Sequence, residues 1–112
     1  VQTMAINMKN TPPTIEINGA RYALHMSDND VLALCREARR RVMDIHIGAE
    51  DEALSFLTWA AERLDRLLGE GAAAAIFEGA PVDLAGMLGL YNAIAAERSA
   101  AHRQYIRDRY GV

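Results

Sequence analysis

The apolar positions of this chain follow two periods in succession. Thr14-Ile15-Glu16-Ile17 and Arg21-Tyr22-Ala23-Leu24 carry the alternation of short strands. Asn18-Gly19 between them suits a two-residue type I′ turn, whose central residues both need positive φ. Ile15, Ile17, Tyr22 and Leu24 supply the apolar contacts of this hairpin. A two-stranded ribbon is marginal alone in water, so it is expected to pack on the helices that follow. Residues 1–13 show no period, and with Asn7, Lys9, Asn10, Thr11, Pro12 and Pro13 they read as a flexible arm.

Beyond the hairpin the spacing becomes helical. Ser27 is placed to cap a first helix, with Asp28 and Asp30 at the positive end of its dipole. Val31, Leu34, Cys35, Ala38, Val42 and Ile45 recur at three and four residues, Arg36, Arg39 and Arg40 take the opposite face, and Gly48 is the expected stop. A second helix is predicted from Glu50-Asp51-Glu52 to Leu68, with Leu54, Leu57, Ala61, Leu64 and Leu68 toward the core and Gly69 ending it. Ala72 to Phe77 reads as a short helix, broken by Gly79-Ala80-Pro81. Asp83 then caps a last helix from Leu84 to near Tyr110, with Leu84, Met87, Leu88, Tyr91, Ile94 and Ala95 as its stripe. Gly86 and Gly89 each cost about 1 kcal/mol in a helix interior relative to alanine, which predicts close backbone packing there, against the second helix. The expected fold is mainly α: one domain over residues 14–112, with an N-terminal β-hairpin packed on a small bundle of three longer helices and one short one.

Composition narrows the function more than the fold. A formal net charge of -3 gives no global pull toward nucleic acid or an anionic membrane. No apolar run approaches the roughly 20 residues of a membrane span, and no leader-like apolar segment stands at the start. A single cysteine, Cys35, excludes an intrachain disulfide and fits a reducing cytoplasm. His25, His46 and His102 are scattered without metal-ligand spacing, and no metal or other cofactor is expected. Cys35 lies on an apolar helix face, as a small buried hydrophobe does. The runs Asp28–Asp30 and Glu50–Glu52 are accounted for by helix dipoles. Gly69-Glu70-Gly71 lacks the Lys-Ser/Thr that a phosphate loop needs. With no convergent nucleophile, base and acid, a non-enzymatic protein is expected. Two basic groups, Arg36, Arg39, Arg40 and Arg41 in the first helix and Arg98, His102, Arg103, Arg107 and Arg109 in the last, read as solvated faces near helix C-termini. The aromatic residues are more pointed. Trp59 falls among Ser55, Glu62, Arg63 and Arg66, away from the leucine stripe, with Phe56 at the stripe's far edge. Large aromatics on a polar face are enriched where proteins meet, so Phe56, Trp59 and Arg63 are the candidate partner-binding residues, with burial by the hairpin or the bundle as the alternative.

The order of these features carries a resemblance. An Ile-x-Ile-Asn-Gly hairpin precedes an acid-capped helix; a second helix ends Leu64-Asp65-Arg66-Leu67-Leu68-Gly69-Glu70-Gly71; Ala72-Ala73-Ala74-Ala75-Ile76-Phe77, Gly79 and a final helix follow. Over residues 15–96 this resembles the small tail assembly chaperones of long-tailed (siphovirus-like) bacteriophages and prophages; the continuation of the last helix to Tyr110 matches no pattern in them. The shared segment also has a physical rationale as a fold-specifying motif. Asn18 and Gly19 make the turn, Gly69 and Gly71 around Glu70 end one helix and start the next, and Ile76 and Phe77 form an apolar plug on the bundle. The resemblance implies a non-catalytic assembly factor in the bacterial cytoplasm, absent from the finished virion. Such a protein binds the tape measure protein, reaches the tail tube protein through a longer frameshifted form, and self-associates into homo-oligomers. Two other readings compete: a small phage or prophage nucleic-acid-binding regulator, with the arginine groups as its footprint, and a structural virion subunit.

Overall fold

A computed structural model describes residues 13–111. The expected arm therefore lies outside the described residues except for Pro13, whose carbonyl accepts a hydrogen bond from the Leu24 N–H at 2.8 Å. Strands β1 (Thr14–Ile17) and β2 (Ala20–Ala23) pair antiparallel, Ile15 opposite Tyr22 and Ile17 opposite Ala20. The turn takes positive φ at both Asn18 (53°) and Gly19 (81°), as the type I′ geometry requires. Four helices follow: α1 (Asp28–Met43), α2 (Glu50–Leu68), α3 (Ala72–Ile76) and α4 (Leu84–Tyr110). The architecture is the expected one, a hairpin on three long helices and a short one.

Local capping sets most of the boundaries. The Ser27 hydroxyl accepts from the Asp30 N–H at 3.2 Å and the Asp83 carboxylate from the Gly86 N–H at 2.7 Å, each satisfying a free donor of a first helical turn. The end of α1 departs from expectation. It stops at Met43, well before Gly48, and residues 44–49 form the connection to α2. The backbone N–H of His46 donates to the Glu52 carboxylate at 2.8 Å, a donor that a continuing α1 would have turned into its own ladder. The chain needs this stretch to reverse, because α2 runs back antiparallel along α1: Arg41 of α1 lies over Trp59, and Leu34 lines the same groove as Arg63.

The core forms where α1, α2 and α4 meet. Val31, Cys35 and Ala38 of α1, Phe56, Ala60, Leu64 and Leu67 of α2, and Met87, Tyr91 and Ile94 of α4 are all buried. The Tyr91 hydroxyl donates to the Ala60 carbonyl at 2.8 Å, so its polar end is satisfied inside the core. α4 is antiparallel to α1, with Leu84 beside Val42 and Ile45 and Arg98 beside Asp28.

Three expectations are overturned here. The buried face of α2 centres on Phe56, Ala60 and Leu64, whereas Leu54, assigned to the core, is 62% exposed. α2 carries more apolar positions than its neighbours can cover, and the angles of α1 and α4 select which are buried. On α4, Leu90 packs against the core and Leu88 does not. Gly89 is not a close approach, since a methyl group placed there meets nothing within 4 Å; at Gly86 the added carbon would meet the capping Asp83 carboxylate at 3.0 Å, not α2.

The hairpin docks at the corner between α2 and α3. The His25 N–H donates to the Leu67 carbonyl at 2.8 Å and the Asn18 amide to the Ile76 carbonyl at 3.1 Å, while Ile15 and Leu24 enter the core. At the same corner Asp65 accepts from the Ala73 N–H at 2.9 Å, holding the first turn of α3. Gly71, at φ 87° and ψ -2°, makes the left-handed start of α3, and Ile76 and Phe77 pack half-buried on the core.

Thermal or urea unfolding tests this account with three substitutions. Gly71→Ala should lose roughly 1–2 kcal/mol from left-handed strain. Gly89→Ala, in open space within a helix, should gain up to about 1 kcal/mol; a loss there would mean an approach the structure does not contain. Tyr91→Phe should cost about 1 kcal/mol, the net worth of one buried hydrogen bond.

Candidate partner-binding surface

The three aromatic and basic candidates of α2 divide between core and surface. Phe56 is 4% exposed and belongs to the core, which corrects its assignment to a binding face. Its position at the edge of one apolar stripe is the centre of the stripe that tertiary packing selects. Trp59 stays at the boundary, partly buried and packed against the core at one edge. Its ring lies 5.9 Å from that of Phe56, and the Arg41 guanidinium sits over its face at 4.3 Å from the centroid. Arg63 approaches the same ring at 5.8 Å. Each contact of this kind contributes about 0.5–1 kcal/mol at a partly exposed site.

α1 holds Arg41 in this pose through Glu37, one turn earlier. The Glu37 carboxylate accepts from Arg41 Nε at 2.8 Å and from Arg40 Nη2 at 2.6 Å, and Arg40 also reaches Asp44 at 3.2 Å. Hydrogen bonding by Arg40, assisted by Arg41, holds the Glu37 carboxyl below its usual range. The i,i+3 and i,i+4 spacings of these residues are visible in the sequence, but the stacking of Arg41 on Trp59 depends on how α1 crosses α2.

The groove formed in this way is lined by Met26, Leu34, Glu37, Arg41, Trp59 and Arg63, among others, and encloses about 470 Å³. Two of its donors, Trp59 Nε1 and Arg63 Nε, are buried and have no hydrogen-bond partner among the described residues. On the other side of the Trp59 ring, Leu54, Ser55, Thr58 and Glu62 line a second shallow depression on the outer face of α2. Trp59 is therefore a ridge between two hollows, and Arg63, the third candidate, forms part of the wall of the first.

The other chemistry-bearing residues are dispersed. His46 bonds the Glu52 carboxylate in the α1–α2 turn, and hydrogen bonds from the His46 backbone and ring hold the Glu52 carboxyl low. Among the described residues no group of three or more His, Cys, Asp or Glu is placed to hold a metal ion. Cys35 is buried, and desolvation pushes its thiol from 9.0 up to about 11. Burial likewise pushes the Tyr91 phenol up. Arg98, grouped by sequence with the basic face of the last helix, is instead 8% exposed and grips the Asp28 carboxylate through Nε at 2.9 Å and Nη2 at 3.3 Å. That ion pair joins positions 70 residues apart and ties α4 to the start of α1. No helix among the described residues is long and apolar enough to cross a membrane.

No family model matches the chain, and no curated protein or solved structure shows significant similarity to it.

The buried thiol gives a pH prediction. The neutral thiol of Cys35 is favoured in the folded state, because its folded pKa lies above its unfolded one. The stability it contributes is complete below about pH 9 and declines as pH rises toward about 11. Equilibrium unfolding across that range should show falling stability, with the fall reduced in Cys35→Ala. At neutral pH a thiol reagent should modify Cys35 only as fast as the chain opens.

Proposed function

We propose that this protein is a phage tail assembly chaperone, a non-catalytic protein that binds the helical tape measure protein before the tail tube encloses it. The observation that carries the reading is Trp59: a large aromatic left partly open on the outer surface of a long helix, between two hollows. An amphipathic partner helix laid across α2 would place an apolar side chain in the groove beside Leu34 and Trp59.

The order of hairpin, acid-capped helix and Gly-Glu-Gly corner supports the same reading through its resemblance to that family. On this proposal a longer frameshifted form recruits the tail tube protein, the chain acts in the cytoplasm of the bacterial host, and it leaves before the virion is complete. A structural virion subunit would remain in the particle. The nucleic-acid reading draws on the two arginine groups. The pairing of Arg40 and Arg41 with Glu37, and of Arg98 with Asp28, weakens that footprint by neutralising cations in both groups.

Mixing the purified chain with tape measure fragments tests the proposal directly. The expected result is co-elution at a fixed stoichiometry, and its absence at every ratio would remove the reading. Thr58→Arg, on the exposed rim beside Trp59, should weaken binding by at least about tenfold with unchanged thermal stability. Trp59→Ala should lose both binding and stability, since one edge of the indole belongs to the core.

A further inference from the structure

The last three turns of α4 take no part in the bundle. The buried positions of this helix stop at Arg98, whose guanidinium holds Asp28 at the start of α1. From there to Tyr110 the helix runs on for about 18 Å without a buried residue, and none of its apolar side chains packs against the core. The stretch is nonetheless two-sided. His102, Tyr105, Ile106, Arg109 and Tyr110 follow the i, i+3, i+4, i+7, i+8 spacing of one helix face, with Arg103 at its edge. Gln104 and Asp108 take the opposite side, joined by a hydrogen bond at 2.7 Å. Tyr105 and Tyr110 are 54% and 65% exposed, and Ile106 lies half-buried between them.

The positive charge of this stretch has no counterpart within the chain. Arg103, Arg107 and Arg109 form no ion pair among the described residues. The neighbouring carboxylates are already engaged: Asp28 and Glu97 by Arg98, and Asp108 by Gln104. Asp30, the other acid in the first turn of α1, lines the groove at Trp59 instead. The helix dipole accounts for Arg107 and Arg109 in the last turn, but its effect has decayed at Arg103, about two turns from the end. Arg103 and Arg107, four residues apart, repel each other in the free chain. An anionic neighbour would relieve that repulsion.

We infer that the end of α4, from His102 to Tyr110, is a docking face for an acidic amphipathic helix of a different protein. Ile106 gives the centre of the contact, and the two tyrosines flank it with rings for apolar side chains and hydroxyls for the polar rim. Carboxylates on the visiting helix meet Arg103 and Arg109 at the margins, as charges beside an apolar seam do in paired helices. The same arginines oppose a second copy of this end. A nucleic-acid strand suits the face less well: Tyr105 and Tyr110 stand on opposite flanks of Ile106, so they offer no continuous platform for successive bases, and the chain carries a net charge of -3. This site is separate from the groove at Trp59 and does not depend on tape measure binding there.

Titration of the full chain with labelled helical peptides tests it. One peptide of about 20 residues carries a leucine stripe flanked by glutamates, and its twin has lysines in their place. The acidic peptide should bind at least about tenfold more tightly than its twin, and more weakly as salt rises. Arg103→Glu with Arg109→Glu should reverse that preference. Both positions are exposed, so helical signal and melting temperature should match the unaltered chain. Should they fall, Arg103→Gln with Arg109→Gln must remove the preference without reversing it. Tyr105→Ser with Tyr110→Ser should weaken the acidic peptide at least about tenfold, whereas Thr58→Arg, beside Trp59, should leave its binding unchanged. Equal binding of the two peptides, a preference that survives charge reversal, or loss of binding in Thr58→Arg would each overturn the inference. So would a single-stranded oligonucleotide or a phosphatidylserine vesicle that binds this face more tightly than the acidic peptide, or a second copy of the chain that covers it.

Discussion

Closure of the core depends on one face of α4. Met87, Tyr91 and Ile94 are the only buried apolar side chains of that helix among the described residues, and they enter the space between α1 and α2. Burying each is worth roughly 1.5–3 kcal/mol, and together they give α1 and α2 a common surface that neither offers the other alone. The Tyr91 hydroxyl adds direction to this burial by ending on the Ala60 carbonyl, which fixes the sliding position of α4 along α2. At the far end the Arg98–Asp28 pair fixes α4 along α1. An ion pair in such a position costs desolvation and contributes little net stability, so its effect is chiefly on register.

The hairpin, α2 and α3 form a second fastened corner. The hairpin buries Ile15 and Leu24 and is held by two hydrogen bonds to the ends of α2 and α3. The five-residue α3 could not persist alone, because helix nucleation costs more than one turn returns. Asp65, the left-handed Gly71 and the packing of Ile76 and Phe77 each remove part of that cost. The corner is a fastening, and the open or partly open apolar surface lies elsewhere: around Trp59 at the middle of α2, at the α1–α2 turn, and on the end of α4.

These surfaces share a physical character. Each combines apolar area with a charged rim, and the groove at Trp59 also holds buried donors without partners. His46 lines the hollow at the α1–α2 turn and His102 lies on the end of α4, so the histidines are dispersed. Cys35 and Tyr91 are held neutral by burial, as core residues are.

What the sequence determined by itself was whatever depends on neighbours a few residues apart. Asn18-Gly19 forces its turn through backbone conformation, Ser27 and Asp83 start their helices through local hydrogen bonds, and Gly69 and Gly71 interrupt the chain where no other residue would do so cheaply. The hairpin, the four helices and most of their boundaries follow from that. Other features required the helices to meet. Periodicity showed that α2 has an apolar surface but could not say that Phe56 turns inward while Leu54 stays out, because both lie on apolar stripes and only the crossing of α1 and α4 distinguishes them. The same holds for the early end of α1, the open space at Gly89, the stacking of Arg41 on Trp59 and the burial of Arg98 against Asp28. Spacing along a chain encodes which residues share a face; what that face touches is set by contacts between distant segments, and those form only when the whole chain packs.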